Sequence, residues 1–127
     1  MWAWYSAAIA THLLEPAKQI VCIVGDWGIM MNLWDLHTAV QLGTDMIVLI
    51  LNDNAYGMIK RKQHNMWLQD FGLDLNNPDF VMLAESFWAI WYRASTPDEF
   101  SNIFTQAQSQ KWVRVIEVAF DYPPNIT

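Results

Sequence analysis

The chain has 127 residues, 54% of them hydrophobic, which is the size of one domain with enough apolar side chains to fill a core. Seven Lys and Arg against thirteen Asp and Glu give a net charge of -6, and no basic run is longer than Lys60, Arg61, Lys62, so nucleic acid is not an expected partner. The apolar runs at 20–24 and 46–51 are far too short to span a bilayer, and the N-terminus lacks the basic start of a signal peptide, so no membrane association is expected.

In chain order, the first expected element is a helix over residues 3–14, stopped ahead of Pro16. Residues 19–24 follow as a short Ile- and Val-rich run, the pattern of a strand buried on both faces. Cys22 lies in it with no second cysteine to pair with, which suits a buried thiol in a reducing cytoplasm. Leu33, Leu36, Ala39, Val40 and Leu42 recur at helical spacing, and Gly43 stands where that helix should end. A second strand is expected at 46–51, a helix from Pro78 through 87, a strand at 90–94, a helix opened by Thr96-Pro97 and reaching about residue 108, and a last strand at 113–119. Alternating strands and helices predict an α/β fold, a three-layer sandwich with a mainly parallel sheet, whose ligands sit at the carboxyl ends of the strands. The site is therefore expected just after Val24 and just after Leu51.

Both places carry polar turns, Gly25-Asp26-Trp27-Gly28 and Asn52-Asp53-Asn54-Ala55-Tyr56-Gly57. Two carboxylates with carbonyl oxygens nearby suit Mg²⁺, a hard cation that takes oxygen ligands and commonly shares them with a diphosphate. Backbone N–H groups at the starts of the following helices would meet the phosphates. Either turn alone could be an ordinary loop, since Gly-Asp and Asn-Asp clusters are common there.

Taken together, the two turns resemble the thiamine-diphosphate enzymes, which carry Gly-Asp-Gly and, after a later strand, a pair of Asn or Asp residues. Residues 51–59 (LNDNAYGMI), Asp70-Phe71-Gly72, Asn77-Pro78-Asp79-Phe80, Ala84-Glu85-Ser86-Phe87 and residues 115–122 are similar to acetolactate synthase sequence, so the resemblance runs along essentially the whole chain. It implies the C-terminal diphosphate-binding domain of such an enzyme, an N-terminally incomplete fragment of a chain several times longer. On this resemblance the metal ligands are Asp26, Asp53 and the carbonyl of Ala55. The diphosphate is held around Gly25, Asp26, Trp27, Gly28, Asp53, Tyr56, Gly57 and Met58, and Met1 corresponds to a methionine that props the cofactor in its bent form.

The implied cofactors are thiamine diphosphate and Mg²⁺; FAD is neither implied nor excluded. The implied reaction is decarboxylation of pyruvate followed by ligation of the two-carbon unit to a second 2-oxo acid, with the cofactor carrying the chemistry. The activating glutamate is expected on a pyrimidine-binding domain of a second chain, in a homodimer or tetramer, and no residue here takes its place. His12 and His37 fall on expected helices and His64 in a polar stretch, where lone histidines are commonly surface or core residues. Glu85 and residues 60–62 read as solvated helix faces. Lys62 stands where biosynthetic relatives often carry a pocket-shaping Trp, which leaves a 2-oxobutyrate preference unsupported.

Two other readings compete. A benzoylformate- or glyoxylate-type thiamine-diphosphate enzyme shares the metal motif, whereas a non-catalytic nucleotide-binding module requires a GxGxxG loop that the first turn does not provide. Finally, Trp2, Trp4, Trp27, Trp34, Trp67, Trp88, Trp91 and Trp112 all fall where the resemblance places glycine. The expectation is that the gene uses a code in which UGA means glycine and was translated with UGA as tryptophan; deliberate glycine-to-tryptophan replacement is the alternative.

Overall fold

The structure is a computed structural model that describes residues 3–69, 71–73 and 76–120. Met1, Trp2, Asp70 and residues 121–122, all used in the sequence reading, lie outside the described residues. Among the described residues four strands, β1 (Ile20–Gly25), β2 (Met46–Asn52), β3 (Ile90–Ala94) and β4 (Val113–Ala119), form one sheet in the order β1-β2-β4-β3, with every neighbouring pair parallel. Six helices accompany them: α1 (Trp4–Leu14), α2 (Asp26–Met31), α3 (Leu33–Gln41), α4 (Gly57–Asn65), α5 (Phe80–Ser86) and α6 (Pro97–Gln108).

Alternation along β2 builds the layers, because successive side chains leave opposite faces of the sheet. Met46, Val48 and Ile50 join Cys22, Val24, Val113 and Val115 in a core closed by Tyr5 and Ile9 of α1, Leu36 and Val40 of α3, and Phe80 and Ala84 of α5. Ile47, Leu49 and Ile116 face the other way, where Phe100, Ile103, Phe104 and Ala107 of α6 cover them. Burial raises the Cys22 thiol and the Tyr5 hydroxyl above their ordinary pKa values, so both stay neutral at pH 7. This is the three-layer α/β arrangement expected from the alternating pattern.

Local boundaries depart from the sequence reading at the helix after Pro78 and at the first polar turn. The helix expected from Pro78 begins at Phe80, because Asp79 is its cap: the carboxylate accepts the backbone N–H groups of Val81 (2.9 Å) and Met82 (3.1 Å), leaving Pro78 outside. Hydrogen bonds from those amides and from Arg93 hold the Asp79 carboxyl below the usual carboxylate range. The first polar turn is likewise shorter than expected, since Gly25 is the last extended residue and Asp26 already opens α2. Trp27 therefore has right-handed helical backbone, and the positive φ that would strain an indole there is not required. The helix opened by Thr96-Pro97 follows its expected start closely: Thr96 accepts from Glu99 N–H at 3.2 Å and Pro97 takes the first helical position.

Candidate functional site

Because β1 and β2 are parallel neighbours with Gly25 opposite Leu51, the turns that leave them emerge side by side at the carboxyl end of the sheet. Between them lies a cleft of about 370 Å³. Of the residues singled out for a cofactor or metal, all but Met1, which lies outside the described residues, line it: Gly25, Asp26, Trp27, Gly28, Asp53, Ala55, Tyr56, Gly57 and Met58. Trp4, Leu51, Ile59 and Phe120 add apolar walls that the motifs did not announce. Among the lining residues none is Lys, Arg or His, so His12, His37, His64 and the basic run at 60–62 do not reach it, and neither does Glu85.

The first turn is closely packed. Asp26 is only 3% exposed, and its Oδ1 accepts the Trp27 backbone N–H at 2.7 Å. Gly28 packs α2 directly onto β1: a Cβ there would stand 2.7 Å from Cγ2 of Val24, a β-branched side chain with little freedom to move aside. The second turn is built from local side-chain bonds. Asn52 Oδ1 accepts Asn54 N–H at 3.1 Å, Asp53 Oδ1 accepts Ala55 N–H at 3.3 Å, and Asn54 adopts left-handed φ of 53°, a conformation Asn tolerates. Tyr56 N–H donates to Leu73 O at 2.9 Å, and Gly57 and Met58 then open α4 into the cleft, with no side chain capping that helix. The Trp27 indole meets the Tyr56 ring edge-on at 4.7 Å, and desolvation with the nearby Asp26 charge raises the Tyr56 hydroxyl above its ordinary value.

Behind the cleft runs a polar network that motif reading missed. Asn77 Nδ2 donates to Asp26 Oδ2 (2.6 Å), Asn52 Oδ1 (3.0 Å) and Asn54 Oδ1 (3.3 Å). Asn52 Nδ2 donates to Glu117 Oε1 at 2.8 Å, and Arg93 Nε donates to Glu117 Oε2 at 2.8 Å while its Nη2 reaches Asp79 at 3.0 Å. The Glu117 hydrogen bond raises the Arg93 guanidinium further above its ordinary value. A buried carboxylate in the apolar run of β4 was the one sequence signal for this network.

The donor set of the cleft suits Mg²⁺ and a diphosphate. Among the described residues no three His, Cys, Asp or Glu side chains gather as a metal cluster; what the cleft offers is two carboxylates and a backbone carbonyl. With no basic side chain lining it, a bound diphosphate would need a cation and backbone N–H groups for neutralisation, which is the chemistry of a shared oxygen-ligated metal.

Residues 4–118 match the family model described as thiamine pyrophosphate enzyme, C-terminal TPP binding domain. Acetolactate synthase of Bacillus subtilis (strain 168) is 31% identical over 119 residues, covering 94% of this chain and 21% of its own length. The acetolactate synthase large subunit of Haemophilus influenzae is 34% identical over 109 residues, covering 84% of this chain and 19% of its own. Among solved structures, the thiamine diphosphate-dependent 4-hydroxybenzoylformate decarboxylase of Rhodococcus jostii RHA1 superposes with a TM-score of 0.86 at 26% identity, over 94% of this chain and 23% of that one. The chain thus spans about a fifth of the length of the curated relatives it matches.

Proposed function

The chain belongs to the thiamine pyrophosphate enzymes as a C-terminal TPP-binding domain, and from that premise we propose that it forms the thiamine diphosphate and Mg²⁺ site of an acetolactate-synthase-like enzyme. That enzyme decarboxylates pyruvate and ligates the two-carbon unit to a second 2-oxo acid. The observation that carries the reading is the pairing of Asp26 and Asp53 with the Ala55 carbonyl in one cleft without basic side chains.

When bound, the cofactor supplies an electron-accepting thiazolium for the decarboxylation. This chain's residues supply binding and orientation. Asp26, Asp53 and the Ala55 carbonyl hold the metal, the α4 amides at Gly57 and Met58 and the backbone at Trp27 and Gly28 receive the diphosphate, and Trp4, Leu51 and Phe120 wall the cleft against water. The glutamate that moves a proton at the cofactor ring comes from the pyrimidine-binding domain of a second chain, so the working enzyme is a homodimer or tetramer. Among the described residues no helix is long and apolar enough to cross a membrane.

One observation favours a second reading: the superposing structure is a 4-hydroxybenzoylformate decarboxylase, so an aromatic 2-oxo acid is the competing substrate. Isothermal titration of the full-length protein with Mg²⁺ and thiamine diphosphate tests the site, and product analysis with pyruvate and with benzoylformate tests the reaction. Acetohydroxy acid from pyruvate is expected. Aldehyde from benzoylformate alone would replace the first reading with the second, and heat of binding absent for both ligands would overturn both.

A further inference from the structure

Asn77 stands where three acceptors converge, and the network dictates which way its amide faces. Both Glu117 oxygens accept, one from Arg93 and one from Asn52, so Asn52 turns its NH₂ to Glu117 and its Oδ1 toward Asn77. Asp26 also only accepts. Asn77 is left presenting its NH₂ to Asp26, Asn52 and Asn54, three acceptors for two protons. The shortest of the three bonds, 2.6 Å, is the charge-assisted one to Asp26. One side chain thereby ties the turn after β1 to the turn after β2, and both lean through Asn52 on the Glu117–Arg93 pair.

Resting on the site reading above, we infer that Asn77 is a positioning residue for the metal: it fixes the rotamer of Asp26 so that the carboxylate meets the cation already oriented, without itself being a ligand. A partner that orients a ligating carboxylate is commonly worth about 10- to 100-fold in metal affinity. In the full-length enzyme, Mg²⁺ binding in the presence of thiamine diphosphate is measured by titration, apart from turnover, for the wild type, Asn77→Ala, Asn77→Gln and Asn77→Asp. Asn77→Ala should weaken Mg²⁺ binding by about 10- to 100-fold, Asn77→Gln should recover part of the loss because it keeps the NH₂, and Asn77→Asp should bind no better than Asn77→Ala. Equal Mg²⁺ affinity in wild type and Asn77→Ala overturns the role of Asn77 alone. Tighter binding in Asn77→Asp overturns it too, since a carboxylate there would be reaching the metal directly. A wild type that binds neither ligand overturns the site reading and this one with it.

A separate set of positions carries a second inference. Three helices end in the same left-handed cap. After α3, Gly43 has φ 62° and donates to Val40 O (3.0 Å) while Thr44 donates to Ala39 O (3.1 Å). After α4, Trp67 has φ 58° and donates to His64 O (3.1 Å) while Leu68 donates to Gln63 O (3.0 Å). After α5, Trp88 has φ 60° and donates to Glu85 O (2.9 Å) while Ala89 donates to Ala84 O (3.1 Å). These are Schellman caps, whose left-handed residue is usually glycine because any Cβ crowds the following carbonyl. The indoles bury little in return: Trp67 is 95% exposed, and Trp88 is 68% exposed with a tilted ring contact to His37 at 6.3 Å. Of the seven tryptophans among the described residues, six are exposed and Trp112 is half-buried, so no buried tryptophan anchors either core.

The geometry points to glycine at 67 and 88 in the protein as its own organism makes it, with the codons behind these tryptophans read there as glycine. Sequencing the gene and mass spectrometry of peptides from the natively produced protein test this. UGA codons and glycine in the peptides spanning 67 and 88 are expected; UGG codons, or tryptophan in those peptides, overturn the inference.

Discussion

The two ends of the sheet treat their carboxylates in opposite ways. At the amino end, Asp45 sits just ahead of β2 and is met by Arg114 Nη2 at 2.6 Å and Lys111 Nζ at 2.8 Å; Arg114 is fully buried and also donates to the Gln110 carbonyl. Burial works against the Asp45 charge, but the bonds to Lys111 and Arg114 prevail and hold its carboxyl below the usual carboxylate range. At the carboxyl end, Asp26 is just as buried, yet its bonds come from a backbone N–H and a neutral amide, and no basic side chain lines the cleft it shares with Asp53. One buried carboxylate is thus neutralised internally and the other meets only neutral donors, the asymmetry that the proposed external cation at the second would require.

The comparison breaks most visibly at the amino end. Asp45→Asn strands the buried Arg114 charge and should cost about 3–5 kcal/mol of stability, read as a lowered denaturation midpoint, while leaving the cleft's ligand set intact. Its pH dependence has a definite sign. With a folded pKa below the unfolded value of about 3.9, Asp45 contributes stability that is fully present above that value and is lost as pH falls through the folded pKa. The difference in stability between wild type and Asp45→Asn should therefore be flat from neutral pH down to about 4 and shrink below it.

Asp26→Ala should do the reverse. It removes a metal ligand in the proposed site and should weaken Mg²⁺-dependent cofactor binding by at least about 100-fold, roughly 2.8 kcal/mol. Titration of the full-length enzyme reads it, and wild-type affinity would sink the assignment. Gly28→Ala lies between packing and function: the new Cβ meets Val24 Cγ2 at 2.7 Å, so α2 must shift on β1. A stability loss of about 1–3 kcal/mol is expected, with cofactor affinity falling as well because α2 carries Asp26. The smallest effect belongs to Trp27→Gly. The indole is 41% exposed and projects along the cleft against Tyr56 without backbone strain, so its removal should raise thiamine diphosphate affinity a few-fold through space alone, whereas Trp112→Gly, outside the cleft, should not. Equal affinities in the two variants would place the diphosphate away from the first turn.

Much of this was legible in the chain. Short apolar runs alternating with helical periodicity require a parallel sheet between helices, and a parallel sheet brings the residues after consecutive strands to one end; Asp26 and Asp53 had to be neighbours once β1 and β2 paired. Cap chemistry was legible at Gly43 and Thr96, but not at Asp79, where Pro78 offered a competing helix start. What tertiary structure alone decided is what couples distant segments. Asn77 reaches Asp26 across 51 residues, Lys111 reaches Asp45 across 66, and the buried Arg114 finds the same carboxylate, none of which leaves a period or spacing in the sequence. The backbone of Trp27 is likewise visible only in the structure, where Asp26 already opens α2 and Gly28 lies against Val24.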